Sequence, residues 1–116
     1  MNLPLTRDTL AAAYDYLCTT LPYSKWNLPD SEDVIFRVAR DRTNRGWYRR
    51  VGKQHSITIS RGCVGWTDSL MRTMAHEMIH LHEQHAGACG AGEHSAAFNR
   101  WSSIVCKVHG WDPLLF

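Results

Sequence analysis

Residues 67–86 read TDSLMRTMAHEMIHLHEQHA, and the fold turns on whether this run forms one helix. Leu70, Met71, Met74, Ala75, Met78, Ile79 and Leu81 make it substantially apolar, and Thr67 or Asp68 can cap its start, so a long helix reaching about Ala86 is expected. Gly87, Gly90 and Gly92 then permit a sharp reversal into a further helix from about Glu93 to Val108, with Ala97, Trp101, Ile104, Val105 and Val108 turned toward a core. Upstream, Val34, Phe36 and Val38 alternate with Ile35, Arg37 and Ala39 as in a strand. Two more short β-rich runs, Trp47 to Val51 and Ser56 to Ser60, flank Gly52, Lys53 and Gln54, and Asn44 to Gly46 read as a turn. Three successive strands with short links predict a meander, a three-stranded antiparallel sheet. At the start, Leu10, Ala13, Tyr14 and Leu17 have helical spacing after Thr6 or Asp8 and before the Leu21-Pro22 breaker. The expectation is an α+β domain covering residues 1–116: an N-terminal helix, three strands and two helices, with no internal repeat or linker.

Composition sets the class. Hydrophobic residues at 44% and charged residues at 21% suit a globular chain and exclude a disordered one. No run approaches the roughly 20 apolar residues that span a bilayer, and Pro4, Arg7 and Asp8 interrupt any secretory leader, which predicts a cytoplasmic protein without a membrane partner. Cys18, Cys63, Cys89 and Cys106 form no CxxC pair, so buried free thiols are expected rather than a zinc ribbon. The net charge of +2 is uneven: residues 37–53 hold seven cations against Asp41, a local +6, while the remainder sums to −4.

Within the long helix stands His76-Glu77-Met78-Ile79-His80, an HExxH motif. At about 100° per residue, the two histidines differ by about 40° after one full turn, so both imidazoles leave nearly the same face. Two nitrogen ligands are thereby preset for one zinc ion, and Glu77 stands beside them as a general base rather than a ligand. Neutral imidazoles preserve the Lewis acidity that brings the pKa of bound water toward about 7, where a carboxylate can take its proton. Such residues in an apolar helix would be buried at a cost without a partner such as zinc. His82 and His85 lie about 240° and 180° from His76 while the helix continues, so neither joins the site and both are expected to be exposed. Glu83 and Ala86 stand where a metzincin has glycine and histidine, which excludes that family. A catalytic zinc needs a third protein ligand. Glu93 and His94, beyond the glycine-rich reversal, are the candidates, with His94 preferred.

Together, His76-Glu77-Met78-Ile79-His80, the glycine-containing loop and His94-Ser95-Ala96-Ala97-Phe98 resemble the SprT-like (Spartan-like) metallopeptidases, whose pattern is HExxH followed by a third histidine in an HGxxF-type element. Ser95 stands in the place of that element's glycine. Gly46-Trp47-Tyr48-Arg49, Ile57-Thr58-Ile59-Ser60 and Cys106-Lys107-Val108-His109-Gly110-Trp111-Asp112 extend the likeness over roughly residues 44 to 113. The resemblance implies a zincin-like minimal domain, zinc held by His76, His80 and His94, Glu77 as base, and proteins on DNA as a substrate class. Glu93 and Ala96 give a fainter likeness to the ExxA element of ImmA-like peptidases, which use a glutamate as third ligand. Gly62-Cys63 is fainter still as the cysteine element of peptide deformylase.

The alternative to a zinc endopeptidase is a module that binds zinc or nucleic acid without cleavage. The basic segment, through Arg45, Arg49 and Arg50 with Trp47 and Tyr48 between them, suits phosphates and bases of single-stranded DNA. The strand Ile57 to Ser60 can border a peptide cleft. His55, Tyr23 and Tyr48 are candidate oxyanion donors that the sequence does not separate, and His109 is expected as a cation at a helix C-terminus.

Overall fold

Thr6 opens the first helix, α1 (Arg7–Cys18), by exchanging hydrogen bonds with Thr9: its hydroxyl accepts from Thr9 N at 3.1 Å, while its own N–H donates to Thr9 Oγ1 at 2.9 Å. This computed structural model describes residues 5–61, 67–85 and 95–116. The inward face of α1 is the expected one, with Leu10, Ala13, Tyr14 and Leu17 all buried. Tyr14 also fixes the loop that follows, because its hydroxyl donates to Pro29 O at 2.6 Å while its ring meets Phe36 edge-on.

Strands β1 (Val34–Ala39), β2 (Gly46–Val51) and β3 (Gln54–Ser60) form one sheet, but not the expected meander. The order is β1-β3-β2, with β3 antiparallel to β2 and parallel to β1. The antiparallel expectation is therefore corrected to a mixed sheet. Burial fits the order: Ile57, Thr58, Ile59 and Ser60 are all buried, which suits a central strand with a neighbour along each edge, whereas Arg49, Arg50 and Val51 of β2 are exposed and suit an edge. β2 and β3 close as a hairpin over Gly52 and Lys53, with Gly52 at φ +63°, and β1 takes the free edge of β3 rather than that of β2. The link from β1 to β2 then has to pass the end of β3. It is fastened there by Ser60 N to Arg45 O (2.8 Å), Arg61 N to Ala39 O (2.9 Å) and a bond from the Ser60 hydroxyl to Asp41 O. Within the link, the Asp41 carboxylate accepts from Thr43 and Asn44, which holds its pKa well below the usual range.

The long helix α2 (Thr67–His85) packs across one face of this sheet and also touches α1 and the last helix, α3 (Ala96–His109). Its capping expectation at Thr67 or Asp68 lies outside the described side chains. Leu70, Met74, Ala75, Met78, Ile79 and Leu81 are buried. Gly46 lets β2 approach: a Cβ there would lie 2.6 Å from Thr58 O and 3.1 Å from Thr73 Cγ2 of α2, so any side chain would push strand and helix apart.

Helix α3 begins three residues later than expected, at Ala96, because the Ser95 hydroxyl accepts from Phe98 N at 3.1 Å and caps it. Its inner face is also rotated from the expected one. Phe98, Val105 and Cys106 are buried, Trp101 is half-buried, and Ile104 and Val108 are exposed. Gly110 ends the helix in the left-handed region at φ 73°, and a 3₁₀ turn over Pro113–Leu115 follows, capped by Asp112. Among the described residues no helix is long and apolar enough to cross a membrane. Cys18 and Cys106 are free thiols, both shifted upward by burial, Cys18 to about 11; Cys63 and Cys89 lie outside the described residues.

Candidate metal centre

The helical spacing of HExxH brings its side chains together as expected. His76 and His80 stand one turn apart on α2 with ring centroids separated by 5.2 Å, and ligand atoms of His76, Glu77 and His80 all lie within 4.8 Å of one another. Glu77 is only 5% exposed, and burial pushes its carboxyl up to about 8. A divalent cation at this point would oppose that shift by favouring the ionised form.

Each histidine presents Nδ1 to an oxygen. His76 Nδ1 donates to the main-chain O of Phe116 at 2.9 Å, and His80 Nδ1 lies 3.9 Å from Glu83 Oε1. The proton on His76 Nδ1 leaves that ring's lone pair on Nε2, where it can face a metal. Glu83 is held in turn, since its Oε2 accepts from the Ser95 hydroxyl at 3.1 Å, and the same hydroxyl caps α3. Phe98, in the first turn of α3, stacks on His80 at 4.5 Å and meets His76 edge-on at 4.9 Å. Phe116 lies against His76 from another side, at 5.3 Å.

The site forms the wall of a cleft of about 350 Å³, lined by His76, Glu77 and Thr73 of α2, the 43–46 crossover and Leu114 to Phe116. Arg45 ties two of these walls, donating from Nη1 to Leu115 O at 3.0 Å. No model of a known protein family matches the chain, and no curated protein does. The site's chemistry therefore rests on its own residues.

The remaining candidates fall into three groups. His94, the expected third ligand, and its rival Glu93 lie outside the described residues, as does Gly62-Cys63. His85 is exposed as expected, but His82 is not: it stacks on Trp26 at 3.7 Å and meets Trp101 edge-on, and burial lowers its pKa. Two aromatics from outside the helix cover that turn of α2, and helical angle alone does not encode them. Of the candidate oxyanion donors, buried Tyr23 spends its hydroxyl on Ala75 O at 2.6 Å, and Tyr48 pairs with Nδ1 of buried His55. Neither hydroxyl nor that ring lines the cleft. His109 also departs from expectation: it bonds Thr20 at 3.2 Å and stacks on Trp111, while burial lowers its pKa and disfavours the cation.

The three arginines grouped as a DNA contact do not share one surface. Strand alternation separates Arg49 from Arg50, and Arg50 reaches the end of α2, donating to Gln84 O at 2.8 Å and to Gly52 O at 3.0 Å. Arg45 lines the cleft beside His76 and Glu77, so of the three only Arg49 faces the outer side of the sheet.

Glu83, Ser95 and Phe116 are the site residues that sequence reasoning missed as site residues. For Glu83 a signal existed: three residues after His80, it is on the adjacent helical turn and within reach of that ring.

Proposed function

We propose that this chain is a zinc-dependent endopeptidase of the SprT-like kind, with zinc held by His76, His80 and His94 and with Glu77 as general base. The observation that carries the reading is the convergence of two imidazoles and a buried carboxylate at the wall of an accessible cleft. The donor set suits zinc, because His76 is oriented through Nδ1, His80 is stacked against Phe98, and a buried carboxylate beside them needs a cation or a proton. A zinc ion held there would supply Lewis acidity, polarising the peptide carbonyl and making water more acidic. Glu77 accepts a proton from the attacking water at a carboxylate oxygen. As the C–O bond forms and the C–N bond breaks, Glu77 returns that proton to the amine nitrogen, so no covalent link to the protein arises. Glu83 and Phe98 hold the imidazoles in place throughout, and the cleft walls at 43–46 and 114–116 admit an extended chain beside Glu77. Proteins carried on nucleic acid are the substrate class that the resemblance implies.

The third ligand separates this reading from its nearest rival. His94→Ala is expected to lose zinc on dialysis, while Glu93→Ala, His82→Ala and His85→Ala retain it. Metal content by elemental analysis, followed by casein cleavage with and without chelator, decides the matter. Loss of zinc in Glu93→Ala with His94→Ala unaffected would move the chain to the ImmA-like class. Stoichiometric zinc with no cleavage of any protein would leave a binding module.

A further inference from the structure

Helices α1 and α2 pack against one face of the sheet, and strand register sets out what the other face carries. Arg37 of β1, Thr58 of β3 and Trp47 of β2 form one row, and Ile35, Ser56 and Arg49 form the next. All six line an open cavity of about 500 Å³ that has no acidic side chain in its walls. The two arginines stand at opposite corners of this block, two strands and one row apart, with Cα atoms roughly 12 Å from each other by strand spacing and rise. Trp47 and Ile35 hold the other corners. Strand β3 runs between, so Thr58 and Ser56 occupy the middle, within reach of a guanidinium from either side. Arg37 and Arg49 are exposed, and neither has a hydrogen bond or ion pair to a described residue. Thr58 singles the cavity out. It is only 5% exposed and lines the cavity, yet its hydroxyl makes no hydrogen bond with any described residue, and neither does that of Ser56. A buried hydroxyl that the protein does not satisfy takes its partner from the cavity it faces.

We infer that this cavity is a binding site for a phosphate monoester carried on a polypeptide side chain, in which Thr58 and Ser56 donate from the floor and Arg37 and Arg49 close from either side. At neutral pH such a group carries nearly two negative charges and three acceptor oxygens, which matches two guanidiniums and two hydroxyl donors arranged around one point. A carboxylate carries half that charge. Each phosphodiester of a nucleic acid also carries a single charge, and its charges are spaced along a chain, whereas the donors here surround a single place. The walls at Trp47 and Ile35 are apolar, so inorganic phosphate would leave them uncovered, and the chain that bears the phosphate would cover them. The site lies on the side of the sheet away from α2 and goes beyond the peptidase reading, since neither zinc nor hydrolysis enters the argument.

The test is fluorescence anisotropy with a labelled phosphoserine peptide, compared with the same peptide carrying serine or glutamate. It is run on the full chain and on Glu77→Gln, so that cleavage of the probe is not read as lost binding. The phosphoserine peptide should bind about tenfold more tightly than either of the others. Arg37→Gln and Arg49→Gln should each weaken it about tenfold, the loss of a charge-assisted hydrogen bond. Arg100→Gln and Lys107→Gln, exposed on α3, remove the same charge and should leave affinity unchanged. Thr58→Val keeps the shape and deletes the hydroxyl, so it should weaken binding about fivefold without lowering the melting temperature, because that hydroxyl has no partner in the described protein. Thermal melts by circular dichroism check the fold of every variant. The inference is overturned if the serine or glutamate peptide binds equally, if the arginine or Thr58 variants bind like the parent, or if the α3 variants lose as much as the sheet variants. Displacement by equimolar inorganic phosphate would overturn it in favour of a small-anion site. Equal affinity for a 5′-hydroxyl oligo-dT, whose phosphates are all diesters, lost with the same arginines, would overturn it in favour of nucleic acid.

Discussion

Glu77→Gln should keep both fold and zinc and should lose about 10²- to 10⁴-fold in peptide hydrolysis, because an amide of the same shape cannot accept the proton from water. Burial explains why the fold should survive. In the metal-free protein the carboxyl is already pushed up to about 8, so a neutral group costs less there than an ionised one. Zinc should also remain, since the ligands are imidazoles and Glu77 acts beside them. The measurement is a single-turnover assay on a fluorogenic peptide, with metal content determined on the same samples. Parent-like turnover would remove Glu77 from the role of base. A folded variant that had lost its zinc would instead make Glu77 a ligand.

Phe98→Ala should cost about 3–5 kcal/mol of stability, the usual range for deleting a buried phenyl group, since this ring is only 2% exposed. Its effect should extend beyond packing. The ring covers both imidazoles, at 4.5 Å from His80 and 4.9 Å from His76, so its removal lets them leave the orientation in which the two lone pairs converge. Zinc affinity should fall by about 10- to 100-fold, as when other outer partners of metal ligands are lost. Denaturant unfolding with and without zinc, together with competition against a chromophoric chelator, separates the two effects. Phe98→Leu should recover much of the stability and little of the affinity. If Phe98→Ala is destabilised yet binds zinc like the parent, the ring serves the core alone.

Much of the site was legible because helical geometry is local. Two histidines four apart converge on any straight helix, so the placement of His76, Glu77 and His80 followed from spacing alone. Helix α1 was legible for the same reason, with a capping threonine and four apolar residues at helical intervals. The sheet was legible only in part. Alternation along β1 and β2 gives the two faces of a strand but not its neighbour, and the choice of β3 as centre depended on which strand the helices would cover. Arg45, Arg49 and Arg50 show the same limit. Their proximity in sequence suggested one patch, while pleating and the crossover sent them to three different surroundings. Ile104 and Val108 of α3 were misread because the helix turns Phe98 and Cys106 inward beside the expected Val105.

The order of the strands also bears on how the chain reaches this structure. Strands β2 and β3 are joined by a two-residue turn and can pair on the microsecond scale of an isolated hairpin, whereas β1 must find β3 from across the intervening strand. Until it does, both the 40–45 crossover and the bonds that fasten it to Ser60 and Arg61 are absent, and the cleft lacks the wall that this crossover supplies. Helix α2 can therefore form before the cleft that it borders. In the native protein the amides of β1 should exchange with solvent faster than those of β3, which hydrogen exchange can resolve strand by strand. A late docking strand would give the groove a lower local stability than the helix it borders, and peptides that add to the sheet edge would meet the protein where it opens most readily.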